Sequence, residues 1–281
     1  MEFRRIGKTD FFLPVLGFGT WEIGGRDYPD YSNDGQAIEV IRYAIRRGIK
    51  FIDTAEMYGA GHAEEIVGEA ISTFPREEVF IATKVWPYNL RYKDIFDAIG
   101  HSLERLKVDY VDLYQIHFPN PFIPIREAMR ALENLVDEGK IRFIGVSNFN
   151  VRELEEAMSC LSKYDIVSNQ VLYNPMDRLI EEEILPFCRK NDITVIAYRP
   201  LGKGLLLQDP YRKILLEIGA KYGKTPAQVL INWVIRHEGV ITLARTMKKE
   251  HLDELLGGIG WKMNPEDYEK LPELLSRSAG T

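Results

Sequence analysis

The sequence predicts an α/β protein, a closed (β/α)8 TIM barrel forming a single domain over residues 1–281. Three observations predict it. Eight short apolar runs alternate with amphipathic helical stretches, the pattern of βα units around a parallel sheet. Within two residues after those runs come Gly19, Asp53, Lys84, His117, Asn148, Gln170, Tyr198 and Arg245, spaced 34, 31, 33, 31, 22, 28 and 47 positions apart. Their mean spacing of about 32 suits one strand, one helix and two connections. No Ser/Gly-rich linker or low-complexity tract divides the chain. A length of 281 residues would by itself suggest about two domains, so periodicity and not length decides for one.

Taken in order, the runs occupy 15–18, 50–52, 79–82, 111–116, 141–146, 166–168, 193–197 and 240–243. Eight is the number that a closed barrel of this kind requires. After the first run, Ile38, Ile41, Ala44 and Ile45 fall at helical spacing in a helix over 37–47, with Arg46 and Arg47 in its last turn and Gly48 closing it. A helix over 125–138 ends at Gly139. Thr225 and Pro226 supply the N-cap and the first helical position of a helix that reaches about Arg236. The long step from Tyr198 to Arg245 marks an irregular unit, in which 200–211 is expected as an enlarged loop over the C-terminal face of the strands. The excess over a minimal barrel of roughly 250 residues lies before Val15, in that loop, and after Trp261.

Composition narrows the function classes. With 45% hydrophobic and 28% charged residues the chain can bury a large core, which excludes disordered, collagen-like and disulfide-scaffold classes. Lys and Arg number 36 against 42 Asp and Glu, a net charge of −6 that provides no overall positive field for phosphates or anionic lipid. A nucleic-acid or membrane-surface role is therefore disfavoured. Cys160 and Cys188 form no CxxC pair and read as small buried residues. The opening MEFRRIGKTD lacks the apolar centre of a signal peptide, and no stretch approaches the roughly 18 apolar residues of a membrane span. A cytoplasmic protein is expected.

In a barrel of this kind the functional face is the C-terminal end of the strands, so polar residues directly after apolar runs carry weight. Asp53 follows the second run with Tyr58 five residues later in DTAEMYG, Lys84 follows the third in TKVWP, and His117 ends YQIHFP after the fourth. Consecutive strands of a closed barrel can bring these to one point. Their chemistry agrees: an ammonium lowers the pKa of a nearby phenol, which is otherwise near 10. A carboxylate holds the ammonium, and an imidazole positions a carbonyl oxygen or shares its proton. Such a set suits proton delivery to a developing alkoxide. Taken singly, each residue has a commonplace reading: Asp53 as a turn or cap, Lys84 as a solvated charge, His117 and Tyr58 as ordinary packing.

With these residues in view, the chain resembles the aldo-keto reductases, and within that superfamily it is similar to thermophilic archaeal alcohol dehydrogenases. The resemblance runs through GFGTW (17–21), DTAEMYG (53–59), GHAEEIVGEAI (61–71), TKVWP (83–87), EGKIRFIGVSNF (138–149), NQVLYN (169–174), AYRPLGKG (197–204) and KKEHLDE (248–254). It implies direct hydride transfer between NADP(H) or NAD(H) and a small carbonyl or alcohol. Asp53, Tyr58, Lys84 and His117 match the family's catalytic tetrad, with Tyr58 as general acid/base, and no metal is implied.

By the same matching, Ser147 and Asn148 hold the nicotinamide carboxamide, Gln170 assists and Tyr198 stacks on the ring. Gly19, Thr20, Asp53 and Leu201 belong to the same cofactor set, and Arg199 approaches the pyrophosphate. Arg245 and Thr246 suit a 2′-phosphate, and a helix opening near Lys249 adds its N-terminal dipole. His251 stands where an Arg is usual, and Leu255 replaces an Asn beside Glu254, so use of both cofactors is expected. Trp21, Trp86, Tyr88 and Phe118 are candidates for an apolar substrate wall. Ser147 and Asn148 have an alternative role as caps of a helix beginning near Val151. A cofactor-binding regulatory subunit with little turnover is the alternative function. No nucleic-acid or membrane partner is expected, and the protein is expected to be a monomer or a small homo-oligomer.

Overall fold

Each of the eight expected runs forms a strand, and the eight close on themselves in parallel. The structure, a computed structural model, describes residues 1–278; positions 279–281 of the expected domain lie outside the described residues. A two-stranded hairpin of β1 (Phe3–Arg5) and β2 (Phe12–Pro14) precedes the barrel. The ring consists of β3 (Leu16–Gly19), β4 (Phe51–Asp53), β5 (Phe80–Val85), β6 (Val111–Ile116), β7 (Ile141–Ser147), β8 (Ile166–Leu172), β9 (Thr194–Tyr198) and β10 (Val240–Ala244), with β10 paired to β3. Around it run α1 (Asp34–Arg46), α2 (His62–Ile71), α3 (Tyr92–Leu106), α4 (Ile125–Asp137), α5 (Val151–Ser159), α6 (Ile184–Lys190), α7 (Tyr211–Ala220), α8 (Pro226–Val234), α9 (Lys249–Leu256) and α10 (Pro265–Ser278).

The hairpin was not among the expected elements. It occupies the segment before Val15 and closes the N-terminal mouth of the barrel. Ile6 and Leu13 join the inner cluster of Phe51, Phe80, Leu113, Val167, Ile196 and Ile241. Gly7 makes that docking possible, because a Cβ there would lie 2.8 Å from the Val167 backbone and its φ of +54° suits glycine.

Alternation along the strands sorts the rest. Phe51, Phe80 and Leu113 point inward while Ile52, Ile81 and Tyr114 face the helices. The helices answer with their own apolar stripes, such as Ala37, Val40, Ile41, Ala44 and Ile45 of α1. The expected cap at Thr225 forms a capping box with Gln228 that opens α8, and a box of Asn150 with Glu153, not among the expected caps, opens α5. The 200–211 segment contains the 3₁₀ stretch Gly202–Leu207 before α7. None of the described helices is long and apolar enough to cross a membrane.

Candidate active site

The barrel interior changes character along its axis. The apolar layer stops one inward residue short of the strand ends, where Asp53 (β4), Lys84 (β5), Gln115 (β6) and Gln170 (β8) replace it, all buried. Lys84 Nζ, fully buried, donates to Asp53 Oδ1 at 2.5 Å, to the Thr54 carbonyl at 2.8 Å and to the Tyr58 hydroxyl at 3.4 Å. Asp53 Oδ2 accepts from Gln170 at 2.8 Å and from Gln115 at 3.3 Å. Tyr58 stands on a 3₁₀ turn (Tyr58–Gly61) between β4 and α2, with its ring 5.6 Å from that of His117 and nearly perpendicular to it. Gly59 allows this turn to sit under the loop after β3, since a Cβ there would meet the Gly24 carbonyl at 2.2 Å.

Electrostatics refine the expected acid. Burial pushes the Tyr58 hydroxyl up, and the Lys84 ammonium only partly offsets this, so the phenol is held above its ordinary value instead of below it. Burial opposes the charge on Lys84 as well, but attraction to Asp53 and Tyr58 prevails and its pKa is raised. His117 is pushed down to about 2, first by burial and then by the Lys84 charge, so it is a neutral imidazole. Its Nδ1 is buried without a hydrogen-bond partner. Of the two expected roles, positioning a carbonyl oxygen is the one that a neutral imidazole suits.

A cavity of about 820 Å³ opens from this cluster across the C-terminal face. Along it lie Gly19, Thr20, Ser147, Asn148, Gln170, Tyr198, Arg199 and Leu201, and at its far end Arg245, Thr246, His251 and Glu254. Ser147 Oγ donates to the Gln170 carbonyl at 2.9 Å, and Asn148, at φ +63°, accepts the Tyr198 hydroxyl at 2.8 Å. Asn150 caps α5, so neither Ser147 nor Asn148 is the cap residue. Arg199 lies over the rings of Trp21 (5.3 Å) and Tyr198 (5.5 Å), and Lys203 lies 4.6 Å from the Trp21 ring. Arg245 donates to the Trp21 carbonyl at 3.2 Å and is 3.7 Å from Glu22.

Of the expected substrate wall, Trp21 and Phe118 line the cavity, and Trp86 and Tyr88 do not. The Trp86 N–H is bonded to the Glu56 carboxylate and the Pro87 carbonyl accepts from Asn120, which docks this loop against its neighbours and leaves Tyr88 71% exposed. Gln115 of β6, absent from the expected set, is two residues before His117, which directly follows that strand, a period-2 signal that was available. Arg26 and Lys203 also line the cavity, from loops with no such periodicity. Among the described residues, no group of three or more His, Cys, Asp or Glu side chains is placed to hold a metal ion.

Comparison with known proteins identifies the family and the fold. The chain is 37% identical to the methylglyoxal reductase YeaE of Escherichia coli over 87% of its own length and 85% of that protein's. A solved thermostable aldo-keto reductase, Tm1743, in complex with the inhibitor epalrestat, superposes with a TM-score of 0.93 at 44% identity, covering 98% of this chain and all (100%) of that one. An aldo/keto reductase from Klebsiella pneumoniae in complex with NADP and acetate gives 0.87 at 34% identity, over 97% and 95% of the two chains. Residues 15–276 match the Aldo/keto reductase family, and the chain belongs to that family.

Proposed function

We propose that the protein interconverts small aldehydes or ketones and alcohols with NADP(H) or NAD(H), with Tyr58 as the acid/base. The observation that carries this reading is the buried Lys84 ammonium, bonded to both Asp53 and the Tyr58 hydroxyl at the floor of the cavity. Relatives named as a methylglyoxal reductase and as an NADP complex support it. The elongated cavity, the Ser147 and Asn148 polar groups beside it and the cationic residues toward its far end fit a nicotinamide dinucleotide, which when bound supplies or takes the hydride.

The chain's own part is proton transfer and positioning. Tyr58 donates a hydrogen bond to the carbonyl oxygen, and then its proton as negative charge develops there. Lys84 stabilises the phenolate left behind, and Asp53 keeps Lys84 in place. Neutral His117 orients the oxygen. A raised Tyr58 pKa keeps the phenol protonated at neutral pH, which suits reduction, whereas alcohol oxidation needs the phenolate and gains as pH rises. Trp21 and Phe118 favour small or medium apolar carbonyls and secondary alcohols.

The test follows NADPH absorbance with methylglyoxal and an aromatic aldehyde. Tyr58→Phe is expected to lower kcat by about 10²–10⁴ while NADPH affinity is retained. Turnover that survives Tyr58→Phe would remove Tyr58 from its role. Tight cofactor binding with no turnover of any carbonyl or alcohol would support the regulatory-subunit reading instead.

A further inference from the structure

Glu56 lies between Asp53 and Tyr58 in the chain and takes no part in the chemistry above. Its Oε1 accepts the backbone N–H of Trp86 and, at 3.2 Å, the Nδ2 of Asn89. Its own N–H donates to the Lys84 carbonyl at 3.3 Å. One residue thus joins the turn that carries the phenol to the loop after β5. Asn120 Nδ2 donates to the Pro87 carbonyl at 2.8 Å, which passes the connection to the loop after β6, where His117 itself donates its N–H to the Val85 carbonyl at 3.1 Å. The two ends of this path are the Tyr58 and His117 rings, 5.6 Å apart, between which the carbonyl oxygen has to sit.

We propose that Glu56 is a positioning residue for this reaction: its carboxylate latches the 86–89 loop to the Tyr58 turn and so sets the placement of Tyr58 relative to His117. The proposal rests on Tyr58 being the acid. Glu64 of α2, Arg105 of α3 and Tyr114 of β6 face the same buried region. Burial and Glu64 disfavour a charged Glu56, whereas Arg105 and the two N–H donors favour it. Retaining a partly buried carboxylate there is costly without donors such as these. Because both donors reach the same oxygen, a glutamine carbonyl can accept both hydrogen bonds, and an alanine can accept neither.

The experiment compares the wild type with Glu56→Gln, Glu56→Ala and Asn89→Asp, using NADPH and methylglyoxal. Asn89→Asp keeps Glu56 but sets a second carboxylate against it, so it carries the test if Glu56→Ala fails to fold. Expected is a kcat within about threefold of wild type for Glu56→Gln, and a loss of about tenfold to a hundredfold for the other two, with the Kd for NADPH unchanged. Amide hydrogen exchange at Trp86 is expected to accelerate in Glu56→Ala and Asn89→Asp and not in Glu56→Gln. Exchange does not depend on turnover, so it reports on the latch even if the wild type reduces no carbonyl, an outcome that would sink the functional reading and the positioning role with it. The proposal is also overturned if Glu56→Gln falls as far as Glu56→Ala, if faster exchange leaves kcat intact, or if exchange at Trp86 does not change.

Discussion

Lys84→Met tests the centre of the site through stability as well as rate. The substitution keeps much of the side-chain volume and removes the ammonium from an ion pair whose side chains are 0% and 3% exposed. Contacts at 2.5 Å to Asp53, 2.8 Å to the Thr54 carbonyl and 3.4 Å to Tyr58 are lost, and Asp53 is left with only its Gln170 and Gln115 donors. Stranding one partner of a buried pair costs about 3–5 kcal/mol. At ~2–4 °C per kcal/mol for a chain of this size or somewhat smaller, Tm falls by roughly 10 °C. The Lys84 pKa is raised on folding, so this stabilisation is complete below the unfolded value of 10.5 and is lost as pH rises through the folded one. The Tm difference between wild type and variant should therefore hold steady across neutral pH and narrow only in strong alkali. Adding Asp53→Asn removes the stranded carboxylate and should restore about 1–3 kcal/mol in denaturant unfolding, with no return of activity. A variant as stable as wild type, or a double variant less stable than Lys84→Met alone, would refute the reasoning.

Arg245→Ala tests the far end of the cavity: if Arg245 takes a 2′-phosphate, the Kd for NADPH rises about tenfold by titration and that for NADH hardly moves, and equal losses would exclude that role. His62, the first residue of α2, ties the start of α1 through Asp34 at 3.0 Å, bonds Glu65 of its own helix at 2.6 Å, and packs 4.2 Å from the ring of Tyr31 in the loop before α1. Burial opposes its charge but the two carboxylates prevail, so its pKa is raised and its contribution is present below 6.5 and lost as pH rises through the raised value. An NMR titration midpoint at or below 6.5 would contradict this.

Much of the site was legible because barrel strands are short and their ends are marked. Asp53, Lys84, His117, Ser147, Gln170 and Tyr198 all fall within two residues after the end of an apolar run, and the parallel register brings those ends to one face. The N-terminal hairpin was not legible, since three-residue strands such as Phe3–Arg5 are too short to show a period. Nor was the absence of Trp86 and Tyr88 from the cavity lining: aromatic type marks a residue fit for a wall, but its place depends on contacts of the folded loop, whose backbone is bonded to Glu56 and Asn120.

The architecture and the clustering of candidate residues at the strand ends thus follow from local pattern, because periodicity and chain spacing are properties of the sequence, whereas the matching of Asp53, Tyr58, Lys84 and His117 to a catalytic set rests on the family resemblance. The charge states follow from neither. The Tyr58 pKa depends on whether burial or the Lys84 ammonium is the larger effect, and His117 is held neutral first by burial in the packed barrel and then by the Lys84 charge. Desolvation and the distance between charges exist only once strands remote in sequence have closed into a ring, so the protonation states on which the chemistry runs are decided by tertiary structure.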